Sequence, residues 1–519
     1  VNTEDQHQRR DPGSGLALSP QEFRLLLVGL IITLFLSALD NTIVGTAMPT
    51  IVGEFGGLAR YTWVTTAYII TSTISTLVLG KLSDLYGRRK VYLLTIGGFL
   101  AASALCGMAQ NMDQLIAFRA LQGLGGGGIM GLTFSIIGDV VPMRDRGRYF
   151  GLFTGVFALA GVAGPLVGGV IVDHTSWRWI FYVNLPLGLL AITMVVRTLK
   201  LPHIPRTVRL DVLGAVLLSA TICALMIPLE FGSTEGWTSP GILISFAAAV
   251  LLLTGFVWQE RRAPEAILPP RLFNHDIVRT SMLLALLTGA VMMTGSLFIS
   301  MWFQFVRFMS PTEAGLSTMP VMIGITVSSA VTGRLISKWG VYKRFPLMGL
   351  PLLLAGYLLT TRIGPDTHVV FLSFAMLLMG LGMGLTMPTI SIANQNSADP
   401  RDLGIATSAG NFFRNLGSAI GLAAYGSIFN AVARSELRAN LPADQQQGDV
   451  LSIIRQPGRV EQMSQPVIDA IHEAISRGVV RVFEVSCVVL VACFAVALVL
   501  REEPLRRLSG VEMRQMAAE

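Results

Sequence analysis

Charge is what this sequence has least of. Only 14% of its 519 residues are Asp, Glu, Lys or Arg, against 52% hydrophobic residues and a mean hydropathy of +0.61. That is too little polar surface to cover a set of water-soluble domains, so lipid has to cover most of the chain. Cysteine is equally sparse: Cys106, Cys223, Cys487 and Cys493 all lie in apolar segments without metal-ligand spacing and read as small buried hydrophobes. The net charge of +7 comes without any basic stripe or aromatic-basic module, which argues against nucleic acid. Neither a nucleophile constellation nor a soluble sensor domain is visible, and His472-Glu473 lacks the second histidine of a zinc helix, so neither an enzyme nor a receptor is expected, nor any metal or organic cofactor. The run Gly123, Gly125 to Gly128 lacks the Lys-Ser/Thr of a phosphate loop and sits inside an apolar stretch, where close helix packing is the better reading. The first twenty or so residues are polar, so no removable signal peptide is expected and the first apolar run would insert and stay.

Long apolar runs are abundant. A bilayer core takes about twenty residues per helix, and such runs fall near 24–46, 61–80, 91–110, 113–136, 149–171, 178–197, 211–229, 241–258, 281–305, 314–336, 345–362, 369–392, 404–432 and 477–500. Fourteen spans predict an all-α polytopic membrane protein with both ends on one side. Lys and Arg concentrate in alternate short loops (Lys81, Arg88, Arg89, Lys90; Arg144, Arg146, Arg148; Arg334, Lys338, Lys343, Arg344), which predicts cytoplasmic termini and a location in the cell (inner) membrane. The exception is 433–476, with Arg434, Arg438, Arg455 and Arg459, a segment long enough to escape the rule and expected as an outer loop. All seven tryptophans fall near span ends, where the headgroup layer suits them.

The loop after span two reads Gly80-Lys-Leu-Ser-Asp84-Leu-Tyr-Gly87-Arg88-Arg89-Lys90, and the loop after span ten repeats its glycines and basic residues from Gly333 to Arg344. Such duplication points to two six-helix bundles, 24–197 and 281–500, with two helices in the intervening 198–280, a tail at 1–23 and another at 501–519. GKLSDLYGRRK resembles motif A of the major facilitator superfamily, and RALQGLGGGG (Arg119–Gly128) resembles its motif B. GVAGPLVGG, with Gly161, Gly164, Pro165, Gly168 and Gly169, is similar to the antiporter motif C. LDNTIVGTAMP (Leu39–Pro49) and WRWIFYVNLPLG (Trp177–Gly188) resemble the fourteen-span drug:proton antiporters of the EmrB/QacA group. The resemblance implies the major facilitator fold, a gating role for Asp84 as the acid that latches the two halves, and proton exchange through motif C. Ser337 stands where the second motif A copy would carry an acid, so only the first copy supplies that charge.

An ionised group deep in the bilayer is costly and usually faces a cavity or a partner. At about 1.5 Å per residue, Asp40 lies roughly 22 Å from the inner end of span one and Arg119 roughly 10 Å from the outer end of span four, so the two can pair. The resemblance makes Asp40 the protonation site and Arg119 the residue that tunes it; a static ion pair joining two helices is the alternative. By the same arithmetic Arg414 and Glu484 have compatible heights and form a second candidate pair, proton-coupling or structural. Glu230 reads as interfacial. Asn41, Gln122, Asn394 and Gln395 fall at cavity depth and are candidate substrate contacts.

These features predict a proton-coupled exporter of hydrophobic or cationic small molecules, with the proton as coupling ion and lipid as surroundings. Export of an endogenous lipid, siderophore or other metabolite is the alternative, and a proton-driven importer fits motif C less well. Whether a periplasmic adaptor takes part stays open. A reporter placed after residue 450 is expected on the side opposite the termini; labelling from the cytoplasm would overturn the orientation.

Overall fold

The computed structural model describes residues 19–55, 61–142, 145–199, 211–309, 311–399, 402–441 and 463–506. Helix starts follow local chemistry. Asn111 Oδ1 accepts the Gln114 amide (2.9 Å), Asp211 Oδ1 accepts the Gly214 amide (2.9 Å), and Ser239 precedes a helix with Pro240 in its first turn. The helices are α1 (Pro20–Phe55), α2 (Tyr61–Tyr86), α3 (Arg88–Gly107), α4 (Met112–Val140), α5 (Arg146–His174), a short α6 (Trp179–Tyr182) and α7 (Asn184–Thr198). Next come α8 (Val212–Glu235), α9 (Pro240–Glu260) and α10 (Asp276–Val306). The rest are α11 (Pro311–Ser317), α12 (Met319–Trp339), α13 (Arg344–Thr360), α14 (Val369–Ser397), α15 (Leu403–Asn440) and α16 (Gln465–Val499).

Among the described residues, thirteen helical segments are long and apolar enough to cross a membrane. The expected span near 345–362 is the shorter apolar helix α13, whose 17 residues reach about 25 Å. Large apolar side chains such as Leu94, Val170 and Leu251 point outward, as a lipid-facing surface requires.

The same packing scheme occurs twice. In the first half α1 lies on α5 and α7, and α4 on α2 and α3; in the second α10 lies on α15 and α16, and α14 on α12 and α13. Two equivalent seams join the halves, α5 against α12 and α2 against α15. At the first seam a Cβ added to Gly147 would sit 2.7 Å from Gly333 Cα, so only glycine permits this approach. At the second, Gly80 faces Ser408 just as closely. Both contacts lie at the end of the molecule that carries the motif A loops, here called the basic face. Gly87 (φ 96°) and Gly340 (φ 71°) make the two turns there in backbone regions that side chains disfavour.

The two inserted helices lie over the second seam rather than apart from it. Lys81 of α2 pairs with Glu265 (2.5 Å), and Arg271 pairs with Asp402 at the start of α15 (2.9 Å). At the other end Trp63 stacks on Phe231, and the Trp237 indole donates to Ser427 (2.9 Å). The α8–α9 hairpin thus touches both halves at once.

Several expectations need correcting. The segment 433–476 is helical at both ends, because α15 runs to Asn440 and α16 starts at Gln465; buried Ala433, Leu437, Val467 and Ile471 continue the apolar face, and 442–462 lie outside the described residues. Trp177 and Trp302 lie near span ends but are packed inside the protein rather than exposed, each satisfied internally: Trp177 donates to Glu54 (2.6 Å) and Trp302 to Ser476 (3.0 Å). Lys81, Arg88 and Arg146, expected as basic loop residues, are buried. Residues 1–18 and 507–519 of the two tails and the Glu230 side chain lie outside the described residues. Beyond the first span, Arg178 donates to Glu54 at 2.8 and 3.2 Å, and with Trp177 it holds the Glu54 carboxyl below the usual carboxylate range. This tie therefore contributes above the ordinary carboxylate pKa and is lost only as pH falls through the lowered value.

Gly147→Leu forces a branched side chain into backbone at the α5–α12 seam and is expected to cost about 1–3 kcal/mol, read as a lower melting temperature of the purified protein. An unchanged melting temperature would contradict this packing.

Candidate functional site

Asp40 sits at the middle of α1, wholly buried where α1 meets α4 and α7. Its Oδ2 accepts from Arg119 Nη1 at 2.6 Å; its Oδ1 accepts from Gln122 Nε2 at 2.8 Å and from Asn184 Nδ2 at 3.0 Å. Arg119 also donates to Gln122 Oε1 (2.8 Å), and its guanidinium lies 4.3 Å from the Tyr68 ring centroid. Ser103 takes hydrogen bonds from Gln122 (3.1 Å) and Asn184 (3.0 Å) and passes its own to Phe181 O (2.9 Å). The carboxylate is thus held by three donors from two other helices, in a site that excludes bulk water.

Gln122 therefore belongs to the charge cluster and not to a cavity. Asn41, one residue on, is exposed and hydrogen-bonds Tyr68 Oη at 3.4 Å. Sequence reasoning missed Asn184, Ser103 and Tyr68. Asn184 carried a readable signal as a polar residue in an otherwise apolar helix; for the other two, only the fold supplies the contact.

The motif C glycines meet α1 beside this cluster. Gly164 faces Thr42 and Gly168 faces Thr46, both too close for a side chain, while Thr42 Oγ1 donates to Ala160 O at 3.0 Å. Gly161 has Met322 of α12 at van der Waals distance and Gly169 faces open space. Helix α5 continues through Pro165.

Motif A forms a second buried cluster at the basic face. Arg88 is held by Asp84 (2.6 Å) and by Asp139 of α4 (2.9 Å), and it also donates to Ser83. A Cβ on Gly404, in the first turn of α15, would lie 2.6 Å from Asp84 Oδ1. The acid therefore stands against the positive end of a helix from the other half. Arg89 instead reaches the end of α7 at Val196 O (2.7 Å). Nearby, Arg146 donates to Gln395 Oε1 across the halves (2.7 Å) and caps Val141 O (2.9 Å) and Gly138 O.

Arg414 and Glu484 do not pair. Glu484 bonds Arg481 one turn away on the exposed face of α16 (2.8 Å), whereas Arg414 turns inward and donates to Asn411 Oδ1 (2.8 Å). Matching depth does not fix which way each helix face points. Arg414 lines a narrow crevice between α10, α14 and α15 together with Asn394 and Gln395.

The family model described as Major Facilitator Superfamily matches residues 30–422. The chain is 40% identical over 408 residues to the multidrug transporter protein MdtP of Bacillus subtilis, covering 78% of this chain and 75% of that protein. It is 34% identical over 478 residues to multidrug resistance protein 3 of the same organism, covering 90% and 93%. Among solved structures, the human organic anion transporter MFSD10 superposes with a TM-score of 0.62 at 15% identity, covering 91% of this chain and all of that one, a likeness of fold alone.

Arg119→Met leaves the Asp40 carboxylate buried and short of its strongest partner, and is expected to cost about 3–5 kcal/mol of stability. Combining it with Asp40→Leu, which removes both charges, is expected to restore most of that loss. Additive losses in a double-mutant cycle on the purified protein would contradict a direct charge interaction.

Proposed function

This chain belongs to the major facilitator superfamily, a multi-pass membrane transporter of small molecules, and from that premise we propose that it exports hydrophobic or cationic compounds in exchange for protons. The observation that carries the proposal is the wholly buried Asp40, held by Arg119, Gln122 and Asn184 in the first bundle. Among its relatives, those named multidrug transporter and multidrug resistance protein support efflux. The motifs A, B and C together with the α8–α9 hairpin support membership of the fourteen-span EmrB/QacA group. We place the basic face in the cytoplasm and the chain in the cell membrane, on the strength of the alternating basic loops.

A proton on Asp40 converts an acceptor of charge-assisted bonds into a neutral acid, and its hold on Arg119 weakens. Helix α1 is then free to shift against α5, to which it is tied at Thr42, Gly164 and Gly168. Helix α5 carries that shift to the basic face, where Gly147 meets Gly333 and Arg146 meets Gln395. The seams there are closed in this structure, with Asp84 and Arg88 packed on α15. Rocking of one bundle on the other about a midplane site completes alternating access.

Asp40→Asn keeps the size of the side chain and removes the titrating group. In proteoliposomes, the intact chain is expected to move protons inward only when a substrate dye moves outward, and the variant is expected to lose that coupled proton flux. Coupling unchanged in Asp40→Asn would remove Asp40 from the mechanism.

A further inference from the structure

Among the described residues, no carboxylate answers one cation of the second bundle. Arg414 is enclosed between α10, α14 and α15, and among the described residues its guanidinium has a single hydrogen-bond partner, Asn411 Oδ1 at 2.8 Å, and no ion pair. Glu484, the acid at matching depth, is engaged with Arg481 on the outer surface. The crevice that Arg414 lines contains no Asp or Glu.

The same lining carries three buried polar atoms without partners: Ser281 Oγ, Asn394 Oδ1 and Gln395 Nε2. Each belongs to a side chain at most 2% exposed. The other ends of the two amides are already used, since Asn394 Nδ2 donates to Ala406 O (2.6 Å) and Gln395 Oε1 accepts from Arg146 (2.7 Å). Their orientations are therefore fixed, and the free ends remain on the crevice wall. Buried polar groups in a folded protein are normally satisfied, so a cluster of three beside an unanswered guanidinium marks a place that something else completes. The rest of the wall is mixed: Phe134, Ala285, Met387 and Ile390 are apolar, and Thr288, Ser391 and Thr407 add hydroxyls.

We propose that this crevice binds the anionic end of an amphiphilic carboxylate, with Arg414 as its counter-ion. The planar guanidinium fork matches the two oxygens of a carboxylate, Gln395 Nε2 and the Ser281 hydroxyl add donors, and Asn394 Oδ1 accepts from a neighbouring hydroxyl or amine of the ligand. The room within the crevice suits the anionic end alone, and Phe134, Met387 and Ile390 give its wall an apolar flank. The inference rests on the exporter reading and extends its substrate class from cations to amphiphilic acids. Because Gln395 also bonds Arg146 across the halves, a ligand here sits next to the closed basic-face seam.

Two xanthene dyes of similar body and opposite charge test it: fluorescein, which carries a carboxylate, and rhodamine 6G, a cation. Binding to the full-length purified protein in detergent is followed by fluorescence polarisation. The intact chain is expected to bind fluorescein, Arg414→Gln to lower the fluorescein-to-rhodamine preference at least tenfold, and Arg414→Lys to fall between. Asn411→Asp supplies the missing carboxylate from within; it is expected to raise the melting temperature and abolish fluorescein binding, which guards against a variant that merely unfolds. No fluorescein binding by the intact chain, equal loss of both dyes in Arg414→Gln, or full binding in Asn411→Asp would overturn the site. Displacement of fluorescein by phosphatidylglycerol but not by excess benzoate would assign the site to a lipid headgroup and overturn the substrate claim. If rhodamine is exported from proteoliposomes while fluorescein neither binds nor moves, the site fails and the exporter reading stands. If fluorescein binds through Arg414 and neither dye is transported, the exporter reading fails and the site stands.

Discussion

The low-dielectric interior of a membrane bundle sets the terms for every charge in this protein. An ionised side chain there is costly without a partner, and breaking a buried pair typically costs several kcal/mol. Arg119 answers Asp40, Arg88 answers Asp84 and Asp139, and Lys81 answers Glu265. In each case the partner, or one of the two, comes from a distant segment of the chain, so charge neutralisation and helix association are the same event. Each of these charged residues is thus a packing element, and removing one removes a contact between helices.

Glycine supplies the complementary device. Where charges pin helices at points, close approach at Gly147–Gly333, Gly80–Ser408 and Gly164–Thr42 lets backbones slide past one another with little side-chain interlock. The two seams between the halves are related by the internal repeat, yet only the α2–α15 seam is overlaid by the inserted hairpin and carries the Asp84–Arg88 cluster. Ser337 stands where the second copy would carry an acid, and at the α5–α12 seam Gly147 and Gly333 meet backbone to backbone.

Much of this was legible in the sequence. Hydropathy located the helices because lipid demands about twenty apolar residues in a row, and counting 1.5 Å per residue brought Asp40 and Arg119 to one height. The same arithmetic failed for Arg414 and Glu484, since depth along an axis says nothing of rotation about it. The outer loop was overdrawn because α15 and α16 keep their apolar faces beyond the length a bilayer needs. Asn184 was part of a recognised motif but was not read as a ligand of Asp40, since its partner is 144 positions away. Cross-half contacts such as Arg146–Gln395 depend on tertiary geometry that periodicity does not encode.

The central claim is that the charge state of Asp40 governs whether the basic face is closed. Tyr86, at the end of α2, and Trp339, at the end of α12, are both exposed on that face and belong to different halves. Spin labels at these two positions report the distance between the halves by electron–electron resonance. The account predicts a distance distribution that shifts with pH in the otherwise intact chain and stays fixed when Asp40 is replaced by Asn. An identical pH response with and without the carboxylate would contradict it.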